Sequence, residues 1–193
     1  MLDAHEIGGE ARFLERAEAL ARAVIARFAA EDGGFYDRIP EDQSLGRLNV
    51  LDRPIVDNGL FAEALLRLAS LTGEESWREN AERTLALFAK TYAAAASFAA
   101  PYARALRRYL SPDVAVRIVG EAATTDEFRE AALRLPAPFV AIRTSPTAAA
   151  LGLPEEPRPA AYVCQGTICG SPAAGAAGIR AAYDDLSTVK HRA

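Results

Sequence analysis

The sequence predicts a mostly α-helical chain with an α/β C-terminal segment: helical hairpins over residues 1–110, then a small βαβ-type unit over 111–193. Three observations carry that prediction. Apolar residues recur at steps of three and four through most of the first 110 residues, the spacing of a one-sided helix. The connection at Thr72-Gly73 is so short that the helices flanking it must run antiparallel. After Ser111-Pro112 the pattern turns extended and β-branched.

Taken in order, Phe13, Leu14, Ala17, Leu20, Ala21, Val24, Ile25 and Phe28 mark one buried face of a helix from Glu10 to Ala30, which stops where Asp32-Gly33-Gly34 permits a left-handed exit. Phe35-Tyr36-Asp37 reads as a short extended piece, and residues 38–56, with Pro40, Gly46 and Pro54, as an irregular loop. Asp57-Asn58 is placed to cap the next helix, whose Leu60, Phe61, Ala64, Leu65, Leu68 and Leu71 form a stripe ending at Thr72-Gly73. A third helix is expected from about Glu75 to Ala94 with Trp77, Ala81, Leu85, Phe88 and Tyr92 inward, and a fourth over 98–110 with Pro101 in its first turn. Asp113 to Val119 reads as a strand ending at Gly120. Thr124 and Glu127 form a capping box for a helix to Leu135, and Pro138 to Arg143 is a second strand, parallel to the first as a βαβ crossover requires. A proline-bearing loop over 144–160 leads to a third strand, Ala160 to Cys164. A last helix from Ala174 to Leu186 precedes a frayed end over 187–193.

Composition narrows the function. A formal net charge of −4, with no basic cluster, argues against a surface that tracks nucleic-acid phosphates. No apolar run reaches the roughly 18 residues that span a bilayer, and the N-terminus lacks the form of a signal peptide, so no membrane role is expected and the chain is read as cytoplasmic. His5 and His191, the only histidines, sit at the two ends, which removes histidine bases and histidine-rich metal sites; no metal and no cofactor are expected.

Three constellations remain as candidates. Cys164-Gln-Gly-Thr-Ile-Cys169 is a C-x4-C at the end of a strand. It lacks the C-x-x-C spacing of a dithiol oxidoreductase and any second pair to complete a zinc site, so it is expected to be a buried strand thiol and a turn thiol kept reduced, not a dithiol switch. Asp52-Arg53-Pro54-Ile55-Val56-Asp57-Asn58 concentrates polar groups before a helix. Asp52, Asp57 and Glu63 are candidate acid–base carboxylates, because glycoside chemistry needs two carboxyl groups flanking one bond, while Arg53 and Asn58 are candidate binding residues. The competing reading is capping by Asp57 or Asn58 and pairing of Arg53 with Asp52. Third, Gly120 with Thr124 and Thr125 offers a strand-turn-helix that can present backbone N–H groups to an anion, though no phosphate-loop motif accompanies it. The aromatic series Trp77, Phe88, Tyr92, Phe98 and Tyr102 is read as core in preference to a sugar-binding cleft.

Gly33-Gly34-Phe35-Tyr36-Asp37, then Asp52-Arg53-Pro54-Ile-Val-Asp57-Asn58 running into Ala62 to Gly73, then Ala161-Tyr162-Val163-Cys164 with Cys169 and Pro172, resemble the C-terminal part of the spermatogenesis-associated, thioredoxin-domain-containing proteins (DUF255). The resemblance covers residues 10–186 and implies the last hairpins of an (α/α)6 toroid similar to N-acylglucosamine 2-epimerases and six-hairpin glycosidases, ending in a small α/β segment. It places a thioredoxin-like domain and the earlier hairpins upstream of Met1. Where relatives carry a Pro-Ser-Gly-Asn run, this chain has Pro54 to Asn58, and the histidine bases of epimerase-like toroids have no counterpart here.

Together these readings predict a partial (α/α) toroid that forms a non-catalytic or cleft-completing C-terminal module with no activity as an isolated chain. The alternatives are a carbohydrate-active enzyme using the loop carboxylates and a redox partner acting through Cys164 and Cys169. The expected partners are the missing N-terminal thioredoxin-like and toroid part, or a second copy in a homodimer, covering the face that carries Phe13, Leu20 and Ile25. The expected ligand is carbohydrate-like.

Overall fold

Two compact units make up the chain, Leu14–Ser111 and Met1–Phe13 with Pro112–Ala193. The computed structural model describes residues 1–39, 50–111, 113–154, 159–166 and 168–190. The expected loop positions Pro40 and Gly46, the strand break at Pro112, Pro157 and the chain end 191–193 lie outside the described residues.

In the helical unit the centre is α3 (Ile55–Thr72), apolar on several sides, with Ala62, Leu65, Leu66, Leu68 and Leu71 buried. It is flanked by α4 (Glu75–Phe88) and α5 (Ala100–Leu110). A helix hydrophobic beyond a single stripe belongs between neighbours, and α3 occupies that position. Gly73 ends it with φ 77°, its N–H donating to the Ala69 carbonyl at 2.8 Å. Gly59 lets α3 and α5 meet backbone to backbone: a Cβ there would lie 2.5 Å from the Tyr102 nitrogen and 2.8 Å from the Pro101 carbonyl carbon. The expected antiparallel hairpin of α3 and α4 is present, and Pro101 falls in the first turn of α5.

The third helix stops earlier than its spacing suggested. After Phe88 the chain enters a 3-10 segment, Tyr92–Ala99, broken at Ala96 (φ 49°, ψ −124°), and Tyr92 and Phe98 are exposed. Only Trp77, Phe88 and Tyr102 of the aromatic series are core. Alanine carries helical propensity but little apolar area, so once the stripe ends the chain can leave the helix and return to α3.

The first long helix, α2 (Ala11–Phe28), departs further from expectation. Its periodicity promised a buried face, yet only Ala21 is buried and Leu20 is 55% exposed. Arg22 fastens it to the unit: its guanidinium donates to Glu74 at 2.7 and 3.2 Å and lies 4.5 Å over the Trp77 ring.

The second unit contains a four-stranded mixed sheet in the order β2-β1-β3-β4, with β1 (Val114–Val119), β2 (Val140–Ser145), β3 (Ala160–Gln165) and β4 (Ile168–Cys169). As expected, β1 and β2 are parallel across α6 (Ala122–Leu133), while β3 is antiparallel to β1. Val114, Val116, Ile118, Ile142 and Val163 form one face of the sheet and pack with Phe128 and Ala132 of α6 and Ile179 of α7 (Ala176–Lys190). Val119, Ala160, Tyr162 and Cys164 form the other, covered in part by Ala148 and Leu151. The expected fraying from residue 187 is not found through Lys190, which is still helical. The expected capping box also shifts: α6 starts at Ala122, and the Thr124 hydroxyl donates to the Glu121 carbonyl at 2.9 Å. A short α1 (Leu2–Gly8), without counterpart in the sequence reading, packs on α6 and β2 within this unit. Its exit at Gly9 is left-handed, φ 73°, which favours glycine, and a Cβ there would also crowd the Arg129 guanidinium. Among the described residues no helix is long and apolar enough to cross a membrane.

Candidate functional site

The Asp32-Gly33-Gly34 turn folds the end of α2 onto Phe35. Ala30 and Gly34 share a 3.0 Å backbone hydrogen bond, Tyr36 N–H reaches the Phe28 carbonyl at 2.9 Å, and Ala29 bridges Phe35. Gly34 is in the left-handed region at φ 73°, where a Cβ would also press on Leu87 and Asn58. Asp37 N–H then donates to the Asp52 carbonyl (2.9 Å), and Asp52 N–H returns a bond to Asp37 Oδ1 (3.2 Å), joining the two ends of the loop.

Asn58 does not cap α3. Pro54 occupies the N-cap position, so Asp57 falls in the first turn and Asn58 becomes the first residue to donate a full α-helical bond, to the Pro54 carbonyl at 3.0 Å. Its buried side chain instead spans to Phe35, accepting from Phe35 N–H and donating to the Phe35 carbonyl. That holds the Phe35 ring edge-on to Phe61, centroids 4.6 Å apart.

The result is a cleft of about 260 Å³ walled by Val24, Phe28, Phe35, Phe61 and Pro54, with Tyr36, Asp37, Asp57 and Asn58 supplying its polar groups. Asp57 and Asp37 are both exposed. Asp57 also benefits from the positive end of the α3 dipole, which accounts for an acidic residue in that turn without any catalytic role.

The remaining candidates of this loop serve the scaffold. Arg53 pairs with Asp32 at 2.6 Å rather than with Asp52, and also donates to the Gly33 carbonyl at 2.9 Å, so it staples the glycine turn. That hydrogen bond holds the Asp32 carboxyl below its ordinary range. Asp52 accepts from Arg53 N–H at 2.8 Å. Glu63 lies outside the cleft: its Oε1 accepts from the exposed Arg104 at 2.9 Å and from the buried Arg108 at 3.3 Å, linking α3 to α5. The sequence reading missed Val24, Phe28, Phe35, Tyr36, Asp37 and Phe61 as a joint wall. Their signal was present in Gly33-Gly34-Phe35-Tyr36-Asp37, but the wall also needs α2 and α3, which only the fold brings to it.

Cys164 and Cys169, expected as free thiols, are joined in a disulfide. The physical reason is the antiparallel pairing of β3 with β4, which sets Cys164 directly opposite Cys169 with Cα atoms 4.0 Å apart. Cys164 is fully buried and Cys169 exposed.

The groove beside Thr124 is also lined by Asp126 and Glu127, whose charge repels an anion. The larger groove between α6 and α7, about 450 Å³, is lined by Glu127, Glu130, Arg134 and Arg180, residues that include the exposed pair Arg134–Glu130, and has the character of solvated surface. Among the described residues no three His, Cys, Asp or Glu side chains gather as a metal site. Comparison of the chain with known protein families and with curated proteins finds no match.

Proposed function

We propose that this chain is a non-catalytic, cleft-forming module that binds a carbohydrate-like ring, acting in the cytoplasm as the C-terminal hairpins of a toroid of the thioredoxin-domain-containing kind. The observation that carries the reading is the aromatic cleft: Phe28, Phe35, Tyr36 and Phe61 offer apolar faces, and Asp37 and Asp57 offer acceptors for hydroxyl groups. At about 260 Å³ the cleft is smaller than the ~300–1,000 Å³ usual for ligand sites, which suits a wall completed by another part of the protein. The half-exposed apolar residues of α2, two of which line the cleft, supply the surface such a part would cover.

A second reading, an acid–base enzyme acting on sugars, draws on the presence of two carboxylates, Asp37 and Asp57, on one cleft. Both are open to water, and Glu63 is engaged by two arginines, so none is placed as a general acid needs to be. Titration of the chain with mono- and disaccharides, followed by NMR, tests both readings. Saturable shifts at Phe35, Tyr36 and Phe61 without turnover support the module. Turnover abolished by Asp57→Asn establishes the enzyme, and no shift with any sugar removes the carbohydrate assignment.

A further inference from the structure

On the sheet face opposite α6 and α7, two arginines stand side by side. Arg117 of β1 and Arg143 of β2 are register partners in the parallel pair, and the alternation that sends Val116 and Ile142 toward the helices sends both arginines to the other face. Like charges directly across a ladder destabilise a sheet, and an opposite charge between or beside them would offset that.

None is provided within the described residues. Arg117 donates to the Leu151 carbonyl at 3.1 Å, a neutral acceptor. Arg143 makes no hydrogen bond and no ion pair with any described residue, although it is partly buried. Burial, with the field of Arg117 added, pushes the Arg143 guanidinium below its ordinary value. Among the described residues of this unit, the other partly or fully buried arginines, Arg117 and Arg129, each have a polar partner; Arg129 meets Asp126 at 2.6 Å.

We propose that Arg117 and Arg143 form a binding site for a phosphoryl group, two guanidinium forks closing on one dianion. The fork geometry of arginine matches a tetrahedral oxyanion through two parallel N–H bonds, and two adjacent forks neutralise two charges where a lone carboxylate neutralises one. The two arginines belong to the α/β unit and the aromatic cleft to the helical unit, so either reading can fail without the other.

Thermal unfolding in anion-poor buffer tests it, with inorganic phosphate, a sugar phosphate, acetate and ionic-strength-matched chloride added in parallel. The expected result is a saturable rise in Tm with phosphate, absent with chloride and acetate, because a ligand that binds only the folded state stabilises it by mass action. Arg143→Met is expected to fold, to equal or exceed the parent Tm without anion because a like-charge contact is gone, and to lose the phosphate response. Arg143→Lys, which keeps charge but not the fork, is expected to weaken half-saturation about tenfold. A sugar phosphate saturating below inorganic phosphate assigns the group to a small organic phosphate, and equal saturation assigns it to the free ion. Equal stabilisation by acetate or chloride, a phosphate response surviving in Arg143→Met, or a Tm drop in that variant without anion would each overturn the proposal.

Discussion

Asn58 satisfies both backbone groups of Phe35 with one side chain: Oδ1 accepts from Phe35 N–H at 2.7 Å while Nδ2 donates to the Phe35 carbonyl at 3.0 Å and to the Pro54 carbonyl at 2.9 Å. The amide acts as a one-residue strand partner for a chain segment 23 positions away, and at 1% exposure it has no water to replace those bonds. Asn58→Ala strands a buried donor and a buried acceptor, each worth about 1–3 kcal/mol. Urea unfolding of the variant is expected to show a loss of about 2–4 kcal/mol. A loss below about 1 kcal/mol would mean that Phe35 has other partners.

Gly59→Ala reads in the opposite sense to helix propensity. In an exposed helix the change gains about 1 kcal/mol, but here the new Cβ meets the backbone of Pro101 and Tyr102, which cannot rotate aside. The expected outcome is a net destabilisation of about 2 kcal/mol or more as α3 and α5 are pushed apart. Increased stability by calorimetry would show that the crossing is looser than its geometry states.

Acid should release the Arg53 staple. Asp32 has a folded-state pKa depressed by its hydrogen bond to Arg53, so its stabilising contribution is complete above the ordinary carboxylate pKa and disappears as the pH falls through the depressed value. The window therefore lies below about pH 4. Carboxyl NMR titration is expected to place Asp32 below other exposed aspartates, and Arg53→Met to restore it. An ordinary titration in the parent chain would dissolve the pair.

The Cys164–Cys169 bond closes a very short loop, so its chain-entropy contribution is small, about 2 kcal/mol. Without reductant the chain is expected to resist alkylation. After mild reduction Cys169 should react before Cys164, since only the former is exposed and the latter is at 0%. Labelling of either sulfur without reductant would restore the free-thiol state.

The sequence by itself determined the succession of helices and then strands, the stop signals at Gly34 and Gly73, the antiparallel α3–α4 hairpin and the parallel β1–β2 pair, because each follows from apolar period, turn chemistry or connection length within a few residues. It also singled out the loop from Asp52 to Asn58. Tertiary structure alone decided what those residues do. Arg53 turned to Asp32 and not to its neighbour Asp52, Asn58 left the helix cap for Phe35, and Glu63 went to two arginines of α5. The two cysteines were brought face to face by the pairing of β3 with β4. The exposure of α2 has the same origin: a 3.6-residue apolar period states which face a helix can bury, while whether it is buried depends on a neighbour that the period does not encode. Hydrogen bonds and ion pairs form between groups that meet in space, and for Asn58, Glu63 and Arg53 those groups come from separate segments whose approach is set by packing of the core.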